Sequence, residues 1–238
     1  MSASRKLSVL AVSLGVTLLM AAPSAAQEGS GLPGVGSRGD GSAPVAGAPA
    51  FKGDPYLLNT DPVSGATFGP VAKQLVIDHE GRELRFVNEE NIDTFRADPK
   101  KYLPAVDAAL IAQQIPYYPL TTCPISGDAI GGGSGAPVDV IVMNRLVRLG
   151  RLDSKEALLK DPAKYIAKLD AAVIEAQCRS YSGKICVVSG EEFGGEMGVP
   201  VDIVIGNRLV RLCCTSCIPE LRKDPLGFLA KLSQAGGS

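Results

Sequence analysis

The chain has 238 residues, enough for one ordinary domain or several small ones. Its 24 lysines and arginines stand against 25 acidic residues, so there is no basic footprint for nucleic acid. Tryptophan is absent and His79 is the only histidine, which excludes a multi-histidine metal site within one chain.

In chain order, Arg5 and Lys6 precede an apolar run from Leu7 to Ala22, and the small residues Ser24-Ala25-Ala26 follow. This pattern predicts a secretory signal over residues 1–26 and an exported protein, periplasmic or extracellular. No later stretch is long and apolar enough to span a bilayer, so no membrane contact is expected after cleavage. Residues 27–50 are nearly all Gly, Ser, Ala and Pro, a composition that cannot bury enough apolar surface to offset chain entropy. They read as a flexible linker, and the Arg38-Gly39-Asp40 triplet within it carries no weight.

The rest of the chain repeats itself. Residues 207–225 (NRLVRLCCTSCIPELRKDP) and 144–162 (NRLVRLGRLDSKEALLKDP) agree in their first six and last three residues. A more distant copy lies upstream, with Asp98-Pro99 in register with Asp161-Pro162 and Asp224-Pro225. The boundaries are 51–115, 116–178 and 179–238, about sixty residues each.

In the first copy the pattern predicts strands over Gln74–Asp78 and Arg82–Val87, with His79 as a solvated residue in the turn between them. In the second, Val138–Val142 and Arg145–Leu149 are strands joined at Met143-Asn144, the return strand apolar on one face. Asp153 and Glu156 have capping-box spacing for a short helix, and Lys164–Gln177 carries Tyr165, Ile166, Leu169, Val173 and Ile174 at helical spacing. The third copy repeats the plan with Val201–Ile205, a turn at Gly206-Asn207, and Arg208–Leu212. Each Asp-Pro pair predicts a further helix, with Asp as N-cap and Pro first in the helix. Glycines at 131–133 and 135, and at 194, 195 and 198, fall in matching loops; without a following Lys-Ser/Thr they are no phosphate loop. The fold class is therefore α+β: tandem small units, each a β-hairpin followed by two short helices.

Cysteines distinguish the copies. The third holds Cys186, Cys213, Cys214 and Cys217; the second keeps Cys123 opposite Cys186 and ends on Cys178; the first has none. Cys186, the hairpin, Leu212-Cys213-Cys214-Thr215-Ser216-Cys217 and Lys223-Asp224-Pro225 resemble the TRASH/YHS family of small heavy-metal-associated domains. The first copy shares the Asp61-Pro62-Val63 opening and the closing Ala97–Leu103; the second has the Cys-Pro-x-Ser-Gly form at 123–127. The resemblance implies a treble-clef-like unit and metal binding, trafficking or sensing, not catalysis. It places the ligands at Cys186, Cys213 and Cys217, although the 26 residues between Cys186 and Cys213 exceed the family's usual spacing.

Cys213 and Cys217 are four apart where strand gives way to helix, a spacing that puts both on one face of a first helical turn. Helix N-terminal amides also favour thiolate over thiol. Cys214 is a fourth candidate and Cys178 an alternative to it, and a fourth position left open is the third alternative. Thiolate-rich sites suit zinc or copper(I). At the corresponding positions stand Gly150, Arg151 and Ser154 in the second copy, and Asp61, Val87, Asn88 and Asn91 in the first, so at most one metal per chain is expected.

Two other readings stay open at this point: structural disulfides in an interaction protein, and a thiol–disulfide oxidoreductase using Cys214 and Cys217. On the metal reading, the partners are the ion and another exported protein that receives or supplies it.

Overall fold

The computed structural model describes residues 53–131, 135–194 and 198–234. The expected export signal, the linker with Arg38-Gly39-Asp40, and the glycines at 132, 133 and 195 lie outside them. Three hairpins follow one another, each succeeded by two helices. The first is β1 (Leu75–His79) and β2 (Arg82–Phe86), then α1 (Glu89–Ala97) and α2 (Pro99–Gln114). The second is β3 (Val138–Val142) and β4 (Arg145–Leu149), then α3 (Ser154–Lys160) and α4 (Pro162–Cys178). The third is β5 (Val201–Ile205) and β6 (Arg208–Leu212), then α5 (Cys217–Lys223) and α6 (Pro225–Gln234). Each hairpin is its own two-stranded antiparallel sheet, so the α+β class stands.

Each hairpin closes on two residues of positive φ: Glu80-Gly81, Met143-Asn144 and Gly206-Asn207. At Gly206 a side chain is also excluded by space, since a Cβ there would lie 2.5 Å from Leu57 of the first unit. Asp161 and Asp224 cap their helices by accepting from the amides of Lys164 and Gly227, at 3.3 and 3.0 Å.

Several expectations are corrected. β1 starts one residue later than expected, so His79 is its last residue; it packs edge-on against Phe95 at 5.1 Å and is half-buried. Asp153 makes no capping bond and instead pairs with Arg151 at 2.8 Å, because its own backbone is already helical. Asp98 likewise caps through position alone, without a side-chain bond. β4 is not apolar on one face only: Arg145, Leu146, Val147 and Leu149 are all buried.

The reason lies in how the units pack. Gln114, last residue of α2, donates to Asn144 O at 2.9 Å and accepts from Leu146 N at 2.9 Å. Gln177, near the end of α4, does the same to Asn207 O and Leu209 N, both at 2.8 Å. Each long helix therefore grips the hairpin of the next unit and covers its second face. The turn asparagines complete the joint: Asn144 Nδ2 donates to Glu83 O at 2.7 Å, and Asn207 Nδ2 to Leu146 O at 3.1 Å.

The third unit meets the first by other means. Arg85 donates to Lys223 O and Arg222 O at 2.9 and 3.0 Å, and Arg222 donates to Gly53 O at 2.7 Å. Asp54 is buried between all three units. It accepts from Arg145 Nε and Nη2 of the second at 2.6 and 2.8 Å, and from Gly206 N of the third at 2.7 Å. Arg145 also donates to Val204 O at 2.7 Å and pairs with Asp170, whose carboxyl is pushed up by burial against the pull of the guanidinium. In the first unit Arg82 donates its Nε to Asn144 Oδ1. Arg145, in the matching place, gives its Nε to Asp54, and Asn207 Oδ1 is left buried without a partner among the described residues.

Two apolar clusters result. Leu84, Phe86, Phe95 and Leu110 of the first unit join Val210, Leu212 and Leu221 of the third. Val147, Leu149, Leu158, Leu169 and Val173 of the second join Val204 and Leu209 of the third. Among the described residues, no helix is long and apolar enough to cross a membrane.

Candidate metal centre

Each unit opens on a tight turn ahead of its hairpin. In the third, Cys186 N donates to Glu191 O and Gly190 N to Cys186 O, both at 2.8 Å. The same pair of bonds forms around Cys123 in the second unit and around Asp61 in the first. Gly65, Gly127 and Gly190 take positive φ to make this turn. Its geometry aims backbone N–H groups at the first side chain. Asp61 Oδ1 accepts from Val63 N and Ser64 N at 2.8 and 3.0 Å, and Asp61 Oδ2 from Val87 N at 2.8 Å.

The thiols occupy the same nest. Burial pushes the Cys186 thiol up, but the amides of Ser189, Cys213 and Val188 and the Ser189 hydroxyl together bring it down to about 7. Burial acts upward on Cys123 as well, and the Ser126 hydroxyl with the amides of Ser126, Gly150 and Ile125 hold it below the usual thiol range. The Asp61 carboxyl lies below its ordinary value: burial raises it, and the amides with Asn91 outweigh that. The nest thus favours an anion in every unit.

Only the third unit surrounds that anion with sulfur. Cys213 follows β6 directly and Cys217 is the first residue of α5, so the two do not share a helical turn as expected; the bend at 213–216 brings them together. Cys186, Cys213 and Cys217 place their sulfurs within 4.8 Å of one another. Cys186 Sγ lies 3.9 Å from Cys217 Sγ, and Cys217 Sγ lies 3.7 Å from Cys213 Sγ. Cys214 sits beside this trio, 3.7 Å from Cys213 and 3.9 Å from Cys217, and is half-exposed. Burial and the neighbouring thiols push the Cys217 thiol up, as expected where several sulfurs crowd together without a cation.

Cys178 is not part of the cluster. It ends α4, with its thiol on Glu175 O at 3.7 Å, and packs against the second apolar cluster. All six cysteines are free thiols in the structure. Ser189 was missed by sequence reasoning: its hydroxyl lies 3.3 Å from Cys213 Sγ and accepts from Glu191 N at 3.3 Å. A signal was present, since Ser64, Ser126 and Ser189 hold the same place in the three openings.

The sulfur spacing can be tested against a metal. Four thiolates about 2.3 Å from a tetrahedral ion lie about 3.8 Å apart. Within the trio, Cys217 lies at that edge length from Cys213 and Cys186, at 3.7 and 3.9 Å; Cys214 matches it toward Cys213 and Cys217 but stands outside the group whose sulfurs are all within 4.8 Å of one another. No family model, no curated protein and no solved structure matches this chain.

Proposed function

We propose that this is an exported, non-enzymatic metal-binding protein whose third, treble-clef-like unit holds one zinc or copper(I) ion in buffering, trafficking or tolerance. Cys186, Cys213 and Cys217 are the principal ligands and Cys214 the fourth. The observation that carries the reading is the buried trio Cys186, Cys213 and Cys217, whose sulfurs all lie within 4.8 Å of one another, with Cys214 beside two of them. The nest supports it, because amides directed at Cys186 favour the thiolate that a soft ion requires. Bound metal would supply the positive charge that lets crowded thiols all ionise. The first two units, with Asp61 and Cys123 alone in the matching nest, serve as the scaffold.

The test is elemental analysis of the full chain purified without chelator from the exported fraction, beside Cys186→Ser and Cys217→Ser. About one zinc or copper per chain is expected, and none in either variant. Metal-free protein with few titratable thiols would replace this reading with structural disulfides. Intact mass is expected to place the mature N-terminus at Gln27.

A further inference from the structure

The four sulfurs are unequal in their access to solvent. Cys186, Cys213 and Cys217 are 0, 3 and 7 % exposed and belong to the apolar cluster shared by the first and third units. Leu212 and Leu221, both fully buried, stand in the same cluster. Cys214 alone opens outward, just ahead of the solvent-facing Thr215 and Ser216, with its sulfur 2.9 Å from the Ser216 hydroxyl. Its sulfur nevertheless lies 3.7 and 3.9 Å from those of Cys213 and Cys217, at the margin of the trio whose sulfurs are all within 4.8 Å of one another. A sulfur arriving from solution meets Cys214 before any other member of the cluster.

Resting on the metal-binding reading, we infer that Cys214 is the exchangeable ligand. The three buried cysteines hold the ion, and the fourth position is where a thiolate from outside takes hold, so the unit passes its ion directly to a thiol-bearing acceptor. In the exchange, the incoming thiol gives up its proton as its sulfur bonds the ion. The bond from the ion to Cys214 breaks, and the Cys214 sulfur takes up a proton. No electron changes hands, and the ion never enters bulk water. The acceptor class is a dithiol, whose second sulfur can then displace the buried ligands in turn.

The experiment uses the full mature chain loaded with zinc. Loss of the ion to dimercaptopropanol and to EDTA is followed by native mass spectrometry and by an indicator dye, for the wild type, Cys214→Ser and Cys217→Ser. Circular dichroism serves as the check on folding, and Cys214→Ala as a second replacement. The wild type is expected to lose zinc at a rate proportional to dithiol concentration, and at a rate independent of EDTA concentration. Cys214→Ser and Cys214→Ala are expected to keep one zinc, bound more weakly than in the wild type. Both are also expected to show a mass adduct of one monothiol when 2-mercaptoethanol is present, which the wild type lacks. Cys217→Ser is expected to hold no zinc. Transfer independent of dithiol concentration, or a Cys214→Ser chain as empty as Cys217→Ser, overturns the inference and leaves the metal site standing. A wild type that binds no zinc or copper overturns the metal reading and this inference with it.

Discussion

The openings of the first and third units are the same device holding different anions. In the first, Asp61 fills the amide nest with a carboxylate that takes three backbone bonds, and nothing further is needed. In the third, Cys186 fills it with a sulfur that leaves room for Cys213 and Cys217 beside it. The second unit stands between them, with Cys123 in the nest but Gly150 and Ser154 where the other thiols would be. A backbone nest demands negative charge without specifying its chemistry. One scaffold can therefore be closed permanently by aspartate or kept available to an ion by cysteine.

The harshest way to break this comparison is to remove what both units lean on. Asp54→Ala leaves the Arg145 guanidinium partly unpaired in the interior and orphans Gly206 N. It should cost about 3–5 kcal/mol, read as a lower urea midpoint with an unchanged slope. A loss under about 1 kcal/mol would mean that the three units do not depend on this joint.

A more selective break empties one nest. Asp61→Ala strands the amides of Val63, Ser64 and Val87 and should cost about 1–3 kcal/mol at neutral pH, with metal content unchanged. The sign with pH follows from the direction of the shift. The folded carboxyl lies below its unfolded value, so its contribution is full above the unfolded pKa of about 3.9 and fades as pH falls through the folded value. Asp61→Asn should therefore flatten the acid limb of the stability profile relative to the wild type. Parallel limbs would refute the assignment of that carboxylate to the nest.

The smallest expected effect sharpens the comparison. Ser189→Ala removes the hydroxyl beside Cys213 and should weaken metal affinity by about 3- to 10-fold in a competition titration. Its counterpart Ser64→Ala, where the hydroxyl meets Asn91 at 3.1 Å, should leave metal affinity unchanged and shift stability by under about 0.5 kcal/mol. Equal effects on affinity at the two serines would remove the distinction between the units.

The hairpins of the second and third units were legible to the residue, because two nearly identical phrases with β-branched runs and short turns admit little else. The first hairpin was misplaced by one residue at β1, where His79 resembles a turn residue by composition but is held by Phe95. Of the thiol cluster, Cys213, Cys214 and Cys217 were close in the chain, whereas Cys186, separated from Cys213 by 26 residues, was linked to them by the resemblance and by the closing of the hairpin. The joints between units were not. Gln114 and Gln177 are polar residues at helix ends and look solvated from sequence, although both are buried against the next hairpin. Asp54, ahead of the first hairpin, carries no pattern that marks it, yet it is 1 % exposed. What these residues do depends on partners 30 to 152 positions away, a distance at which local pattern carries no signal.

The joint between the outer units has a consequence for how the molecule comes into being. Arg85 reaches carbonyls 137 and 138 residues downstream, and Asp54 an amide 152 residues downstream. Leu84 and Phe86 lie in one cluster with Val210, Leu212 and Leu221. A chain emerging from the ribosome or a secretion channel with its N-terminus first would present the opening unit long before its covering exists. Phe86 and Phe95 already pack on one another within that unit, but the face that Val210, Leu212 and Leu221 cover stays open until they arrive, and there a holding chaperone would find its purchase.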